Sequence, residues 1–125
     1  MKALSILQPW AWAIIAGHKS IENRNWTTRY RGPLLIHAGK GFTRSAYGDI
    51  FRHASRDKFD VPPIESFMLG GFIGTAELVD VVTTTRDPWF NGPFGWVLAK
   101  PKSMKFTPYP GQLRLFEVPD DFGMP

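Results

Sequence analysis

The spacing of apolar and polar residues changes several times along the chain, and each change marks an element. Lys2 to Leu7 is a short, mostly apolar run that reads as a strand, cut off at Gln8-Pro9. Pro9 fits the first position of a helix, where its missing N–H costs nothing. That helix carries Trp10, Trp12, Ile14 and Ile15 and stops at Gly17, a residue suited to a left-handed cap. Ser20 to Trp26 alternates and predicts a strand. Arg31-Gly32-Pro33 is a turn, and Leu34 to Ala38 is a compact strand running into Gly39-Lys40-Gly41. Thr43 to Lys58 is polar, with Tyr47, Ile50, Phe51 and Ala54 at helical spacing, which predicts an amphipathic helix closed by Val61-Pro62-Pro63. Gly71 to Thr83, rich in Ile, Val and Thr, predicts the longest strand. After an aromatic, proline-punctuated loop from Arg86 to Pro93, three more short strands are expected at Phe94–Ala99, Lys102–Phe106 and Leu113–Val118, then a tail from Pro119.

Six or seven short strands with two main helices predict an α+β fold, a small curled sheet or open barrel with helices at its ends. The strands lack a regular βαβ alternation, which argues against a doubly wound parallel sheet. The length of 125 residues suits one domain over 1–125, and no repeat or low-complexity tract interrupts it. No apolar stretch is long enough to span a bilayer, and Ala3 to Leu7 is too short for the apolar core of a signal peptide.

Composition changes this picture in two ways. The chain has no cysteine, which removes disulfides, thiolate nucleophiles and thiolate zinc sites, and suits a reducing, cytoplasmic setting. The net charge of +4 is unevenly placed, at +6 over residues 1–60 and −2 over 61–125. A basic first half points to a polyanionic partner more than the modest total does.

The segment Gly17-His18-Lys19-Ser20-Ile21-Glu22-Asn23-Arg24 gathers the most chemistry. In a strand Glu22 and Arg24 point to one face, roughly 7 Å apart, with Lys19 in the turn before them. The cluster reads either as an ion-pair cap on a helix end or as a site. In a site, Lys19 serves as a general base or electrostatic stabiliser and Arg24 docks a phosphate or carboxylate. Gln8-Pro9-Trp10 opens a helix, where Trp10 either packs in the core or stacks a base. Asn25 to Arg31 interleaves Trp26 and Tyr30 with arginines, as a stacking surface or a solvated turn. Lys40 and the cations of the second helix add to the basic half. Glu77, inside an apolar strand, is either paired or beside a pocket. The loop with Trp89 and Asn91 carries aromatics that could wall a pocket. His18, His37 and His53 show no metal-ligand spacing, and His37 reads as a hydrogen-bonded structural residue. Gly39-Lys40-Gly41 lacks the spacing of a phosphate loop, and no nucleophile elbow is present. No cofactor and no metal are expected.

Gly17-x-Lys19-x-x-Glu22-x-Arg24, together with Lys2 to Trp10, Tyr30 to Ala38, Gly92 to Leu98 and Gly111 to Leu113, resembles the ASCH domain family, in its small stand-alone bacterial and phage form. The resemblance covers nearly the whole chain. It implies a PUA-like β-barrel whose signature loop lines a cleft for RNA, a nucleotide or a modified nucleoside. Some members are ribonucleases. Others hydrolyse the N4-acyl group of acetylated cytidine with a lysine, a threonine and a glutamate. Lys19 matches that lysine, Glu22 stands where those enzymes carry threonine, and Glu77 is a candidate for their acidic residue. The resemblance and the residues together give three expectations. Lys19, Glu22 and Arg24 carry any chemistry. Gln8, Pro9, Trp10, Trp26, Lys40, Trp89 and Asn91 contact the ligand. The function is binding of RNA or a modified nucleoside, with a small hydrolase as the alternative.

Overall fold

A computed structural model describes residues 1–122; the last three positions of the tail lie outside the described residues. In chain order the elements are β1 (Lys2–Ile6), α1 (Trp10–Ile15), β2 (Ile21–Arg24), β3 (Gly32–Ala38), α2 (Arg44–Asp57), a short 3-10 turn (Ile64–Ser66), β4 (Gly71–Val82), β5 (Phe94–Pro108) and β6 (Leu115–Glu117). The strands form one sheet in the order β2-β5-β4-β3-β1-β6. It curls into a half-barrel, an α+β, PUA-like arrangement with two helices. All neighbours are antiparallel except β1 and β3, which pair in parallel with Leu4 opposite Ile36.

The lack of clean alternation in β1 and β3 has a physical cause, since both bury apolar side chains on both faces. Leu4, Ile6, Leu34 and Ile36 join Ile14 of α1 and the fully buried Trp96 in one core. Ala3 and Leu35 point the other way, onto Phe72, Phe116 and Val118. A third cluster of Ala13, Ile21, Ile50 and Trp89 ties α1, β2, α2 and the aromatic loop together. This cluster is the one that builds the site.

One expectation needs correction. The segments 94–99 and 102–106 belong to a single strand, β5, which at 15 residues is longer than the 12-residue β4. Ala99-Lys100-Pro101-Lys102 reads as a turn because proline cannot donate to a ladder. Here the ladder absorbs it as a bulge. Glu77 pairs with Ala99 and Thr75 with Lys102, so β5 carries an extra residue there, and Lys100 takes a left-handed φ of 51°.

In α2, Thr43 Oγ1 accepts from Ala46 N at 3.1 Å and caps the start, and Lys58 closes the end in a left-handed conformation. Its inward face carries Ile50, His53 and Ala54.

Candidate functional site

Lys19 owes its position to the way α1 ends. Gly17 takes a φ of +86°, a conformation that L side chains rarely adopt, and a Cβ there would meet nothing. Its freedom is therefore conformational rather than steric. The backbone N–H groups of His18 and Lys19 both donate back to Ala13 O, at 2.9 and 3.0 Å. This reversal turns Lys19 under the helix and launches β2. Lys19 is only 6% exposed and Glu22 only 8%.

Within this turn the ion pairs form a chain. Lys19 Nζ donates to Ile21 O and, at 3.1 Å, to Glu22 Oε1. The other oxygen of Glu22 accepts from Arg24 Nη2 at 3.0 Å. Arg24 Nη2 also donates to Ser5 O at 2.7 Å. One buried carboxylate thus holds two cations, one on each oxygen. Burying a carboxylate alone would be very costly, and here the pairing offsets that cost.

Lys19 and Glu22 line a cavity of about 210 Å³ with Trp10, Asn23, His53, Trp89 and Asn91. The aromatic loop reaches it just before β5, the strand paired with β2. Asn23 fastens that loop: its Nδ2 donates to Trp89 O at 2.9 Å, and its Oδ1 accepts from Asn91 N at 2.7 Å and Gly92 N at 3.1 Å. Asp87 Oδ1 accepts from Trp89 N, while its other oxygen accepts from Ser20 Oγ. Trp89 Nε1 donates to Asp57 of α2 at 3.1 Å. Trp89 is nearly buried, and the His53 ring stacks on it at 3.9 Å with the planes 8° apart. Trp10, half-buried, stands nearly perpendicular to both rings. Lys19 Nζ lies 5.9 Å from the centre of the Trp89 ring, within range of a cation–π attraction.

Burial of His53 pushes its pKa below the usual histidine value of 6.5, and the neighbouring cations Arg56, Arg52 and Lys19 push the same way, while Asp57 opposes them. Its Nδ1 is buried with no hydrogen-bond partner among the described residues. His18, stacked on Phe59 at 4.0 Å, is also lowered by burial, with Asp57 again opposing. The native state therefore prefers both rings neutral. Below the unfolded value the unfolded chain binds more protons, so stability falls as pH drops from 6.5 toward the folded values. Thermal melts between neutral pH and pH 5 are expected to show this loss, with a shallower dependence in His53→Gln. An unchanged dependence in that variant would remove His53 as a contributor.

Of the residues singled out in the sequence, Lys19, Glu22, Trp10, Trp89 and Asn91 meet at this cavity. Arg24 faces a different hollow, on the far side of Glu22. Gln8 is buried in a structural role: its Oε1 accepts from Trp12 N at 2.8 Å and its Nε2 donates to Met68 O at 3.1 Å. Pro9 is the buried N-cap of α1. Trp26 packs edge-on against Trp96 at 4.8 Å, with the Arg114 guanidinium over its ring. Lys40 lies along Gly70. Glu77 sits half-exposed, 3.6 Å from Lys100 and not among the cavity residues. His37 is held on both ring nitrogens, by Ser5 Oγ at 2.9 Å and Tyr109 O at 2.7 Å. Because Tyr109 O only accepts, Nε2 carries the proton and Nδ1 accepts from Ser5.

Asn23 and His53 were not among the expected ligand contacts. Asn23 lies inside the signature segment, where its alternation with Glu22 places it toward the loop. His53 lies three residues after Ile50, on the apolar face of α2, and a polar residue on such a face is the signal that marks it.

Against known proteins, a family model described as "ASCH domain" matches residues 4–106. A comparison with curated protein sequences finds no match. Among solved structures, the ASCH protein from Zymomonas mobilis is similar at a TM-score of 0.54 and 14% identity, covering 96% of this chain and 88% of that one. A tyrosine-to-phenylalanine variant of the same protein gives 0.56 and 14%, covering 96% and 91%. At this identity the likeness speaks to the fold alone.

Proposed function

Because the chain belongs to the ASCH domain family, a general RNA-binding type of domain, we propose that its cavity holds one base of a single-stranded RNA or of a modified nucleoside. The observation that carries this reading is the Lys19–Glu22 pair, buried and set 3.1 Å apart at the cavity. An ammonium donor beside a carboxylate acceptor complements a base edge that carries a carbonyl beside an N–H. Lys19 uses two of its three N–H groups on Ile21 O and Glu22, which leaves one for such a carbonyl. Trp10 and Trp89 supply apolar walls, and the amides of Asn23 and Asn91 supply further polar contacts. The size supports a small guest. Pockets for drug-sized ligands run to roughly 300–1,000 Å³, and about 210 Å³ suits a base rather than a whole nucleotide.

Titration with cytidine, N4-acetylcytidine and a short single-stranded RNA tests the reading. Binding is expected in the wild type and a loss of at least tenfold in Lys19→Ala. Equal affinity in that variant would remove the ammonium from recognition.

A second reading, favoured by the same buried pair, is hydrolysis in this cavity of an acyl amide on cytidine or of an RNA phosphodiester. For Lys19 to take a proton from water or a 2′-hydroxyl, it first passes its own to Glu22, the carboxylate 3.1 Å away. Glu22 then serves as the acid that protonates the leaving group. Turnover of N4-acetylcytidine or RNA by the wild type, lost in Lys19→Ala, is the outcome this reading requires. A wild type that binds these compounds without turning over either leaves binding as the function.

A further inference from the structure

Across Glu22 from the cavity lies a second concave surface. Arg24, Ser5, Leu7, Gly111 and Arg114 wall a groove of about 430 Å³. A neighbouring hollow of about 340 Å³, beside His37 and Lys40, shares Ser5 and Gly111 with it. Neither stretch is lined by a carboxylate among the described residues. Three cations, Arg114, Arg24 and Lys40, therefore line these two adjoining hollows.

Two observations argue that this groove is built to take an anion. Arg24 lines the groove with its side chain 22% exposed, while its Nη2 is held by Glu22 and Ser5. Arg114 is exposed, and its guanidinium lies 5.1 Å from the centre of the Trp26 ring, a contact that steadies the head without neutralising it. The groove floor is also fixed. His37 donates to Tyr109 O, and a Cβ on Gly111 would come within 2.8 Å of His37 Cε1, so the 109–111 segment lies tight against β1 and β3.

We propose that this groove holds the phosphodiester backbone of the strand whose base enters the cavity, with Arg24 and Arg114 on its phosphates. The inference rests on the reading of the cavity given above. Glu22 is the link between the two sites, since one oxygen holds the cavity lysine and the other holds the groove arginine. A regularly repeating anion matches cations spaced along a groove, as in other single-strand binders.

The test measures affinities for a short single-stranded RNA and for free N4-acetylcytidine across a range of salt concentrations. The wild type is expected to bind the RNA more tightly, with a strong salt dependence. Arg114→Gln is expected to weaken RNA binding several-fold and to lower the slope of log K against log salt by about 0.7, one single-strand phosphate contact. Nucleoside affinity should not change, and Arg114→Lys should restore the slope. Thermal melts check that the Arg114 variants remain folded. If the nucleoside binds but RNA gains nothing over it, the groove proposal falls and the cavity reading stands. The same holds if Arg114→Gln leaves the RNA slope intact, or if an acidic peptide binds the groove and RNA does not. If neither nucleoside nor RNA binds, both fall together.

Discussion

Glu22→Ala is expected to be among the most damaging single changes in this domain, lowering folding stability by about 3–5 kcal/mol and abolishing ligand binding. The variant leaves two cations behind. Lys19 stays almost wholly buried with only Ile21 O as a partner, and Arg24 keeps only Ser5 O. Lys19→Met should cost less, about 1–3 kcal/mol, because Glu22 keeps Arg24 at 3.0 Å and no charge is left alone. The asymmetry between the two variants is the informative quantity, and urea denaturation of both measures it. Equal costs would mean that the carboxylate and the ammonium depend on each other alone, and the chain from Lys19 to Arg24 would lose its meaning. The double variant Lys19→Met, Glu22→Leu should recover part of the stability without recovering the ligand. Replacing a buried pair by apolar groups removes the desolvation penalty together with the attraction.

This arrangement was partly legible in the sequence. A glycine that stops a helix, followed by an alternating strand, is a local pattern, and local patterns determine where Lys19, Glu22 and Arg24 lie relative to one another. Trp89 and Asn91 were legible only as types, aromatic and polar residues in a loop dense with proline and glycine. That the loop closes over β2 depends on Asn23, which is 66 residues from Trp89 in the chain. No spacing rule reaches that far. Gln8 and Trp26 are held by contacts that the sequence does not show. Each lies near the signature and has the chemistry of a ligand contact, yet the fold spends Gln8 on a helix start and Trp26 on the face of Trp96. The split prediction for β5 has a third origin. Proline at 101 breaks the local pattern of a strand, while the long β4 beside it supplies enough pairing on both sides to carry the bulge.

Asn23→Ala is the other change expected to have a large effect, and its mechanism differs from that of Glu22. Asn23 is uncharged, and its side chain makes three hydrogen bonds to the backbone of residues 89, 91 and 92. At about 1 kcal/mol each, their loss should cost about 2–4 kcal/mol, much of it as local release of the loop rather than global unfolding. Trp89 would keep its bond to Asp57 and its stack on His53 but lose its tether to β2. The cavity would then have a mobile wall. Hydrogen exchange at the Asn91 and Gly92 amides is expected to rise by at least tenfold, with ligand affinity falling in parallel. Asn23→Asp separates the contributions. It keeps an oxygen to accept from both amides but loses the donor to Trp89 O, so the amides should stay protected while the tryptophan loosens. Slow exchange at both amides in Asn23→Ala would show that the loop is held by Asp87 and Asp57 instead. The cavity wall would then depend on α2, and Asp57 rather than Asn23 would be the residue on which ligand affinity turns.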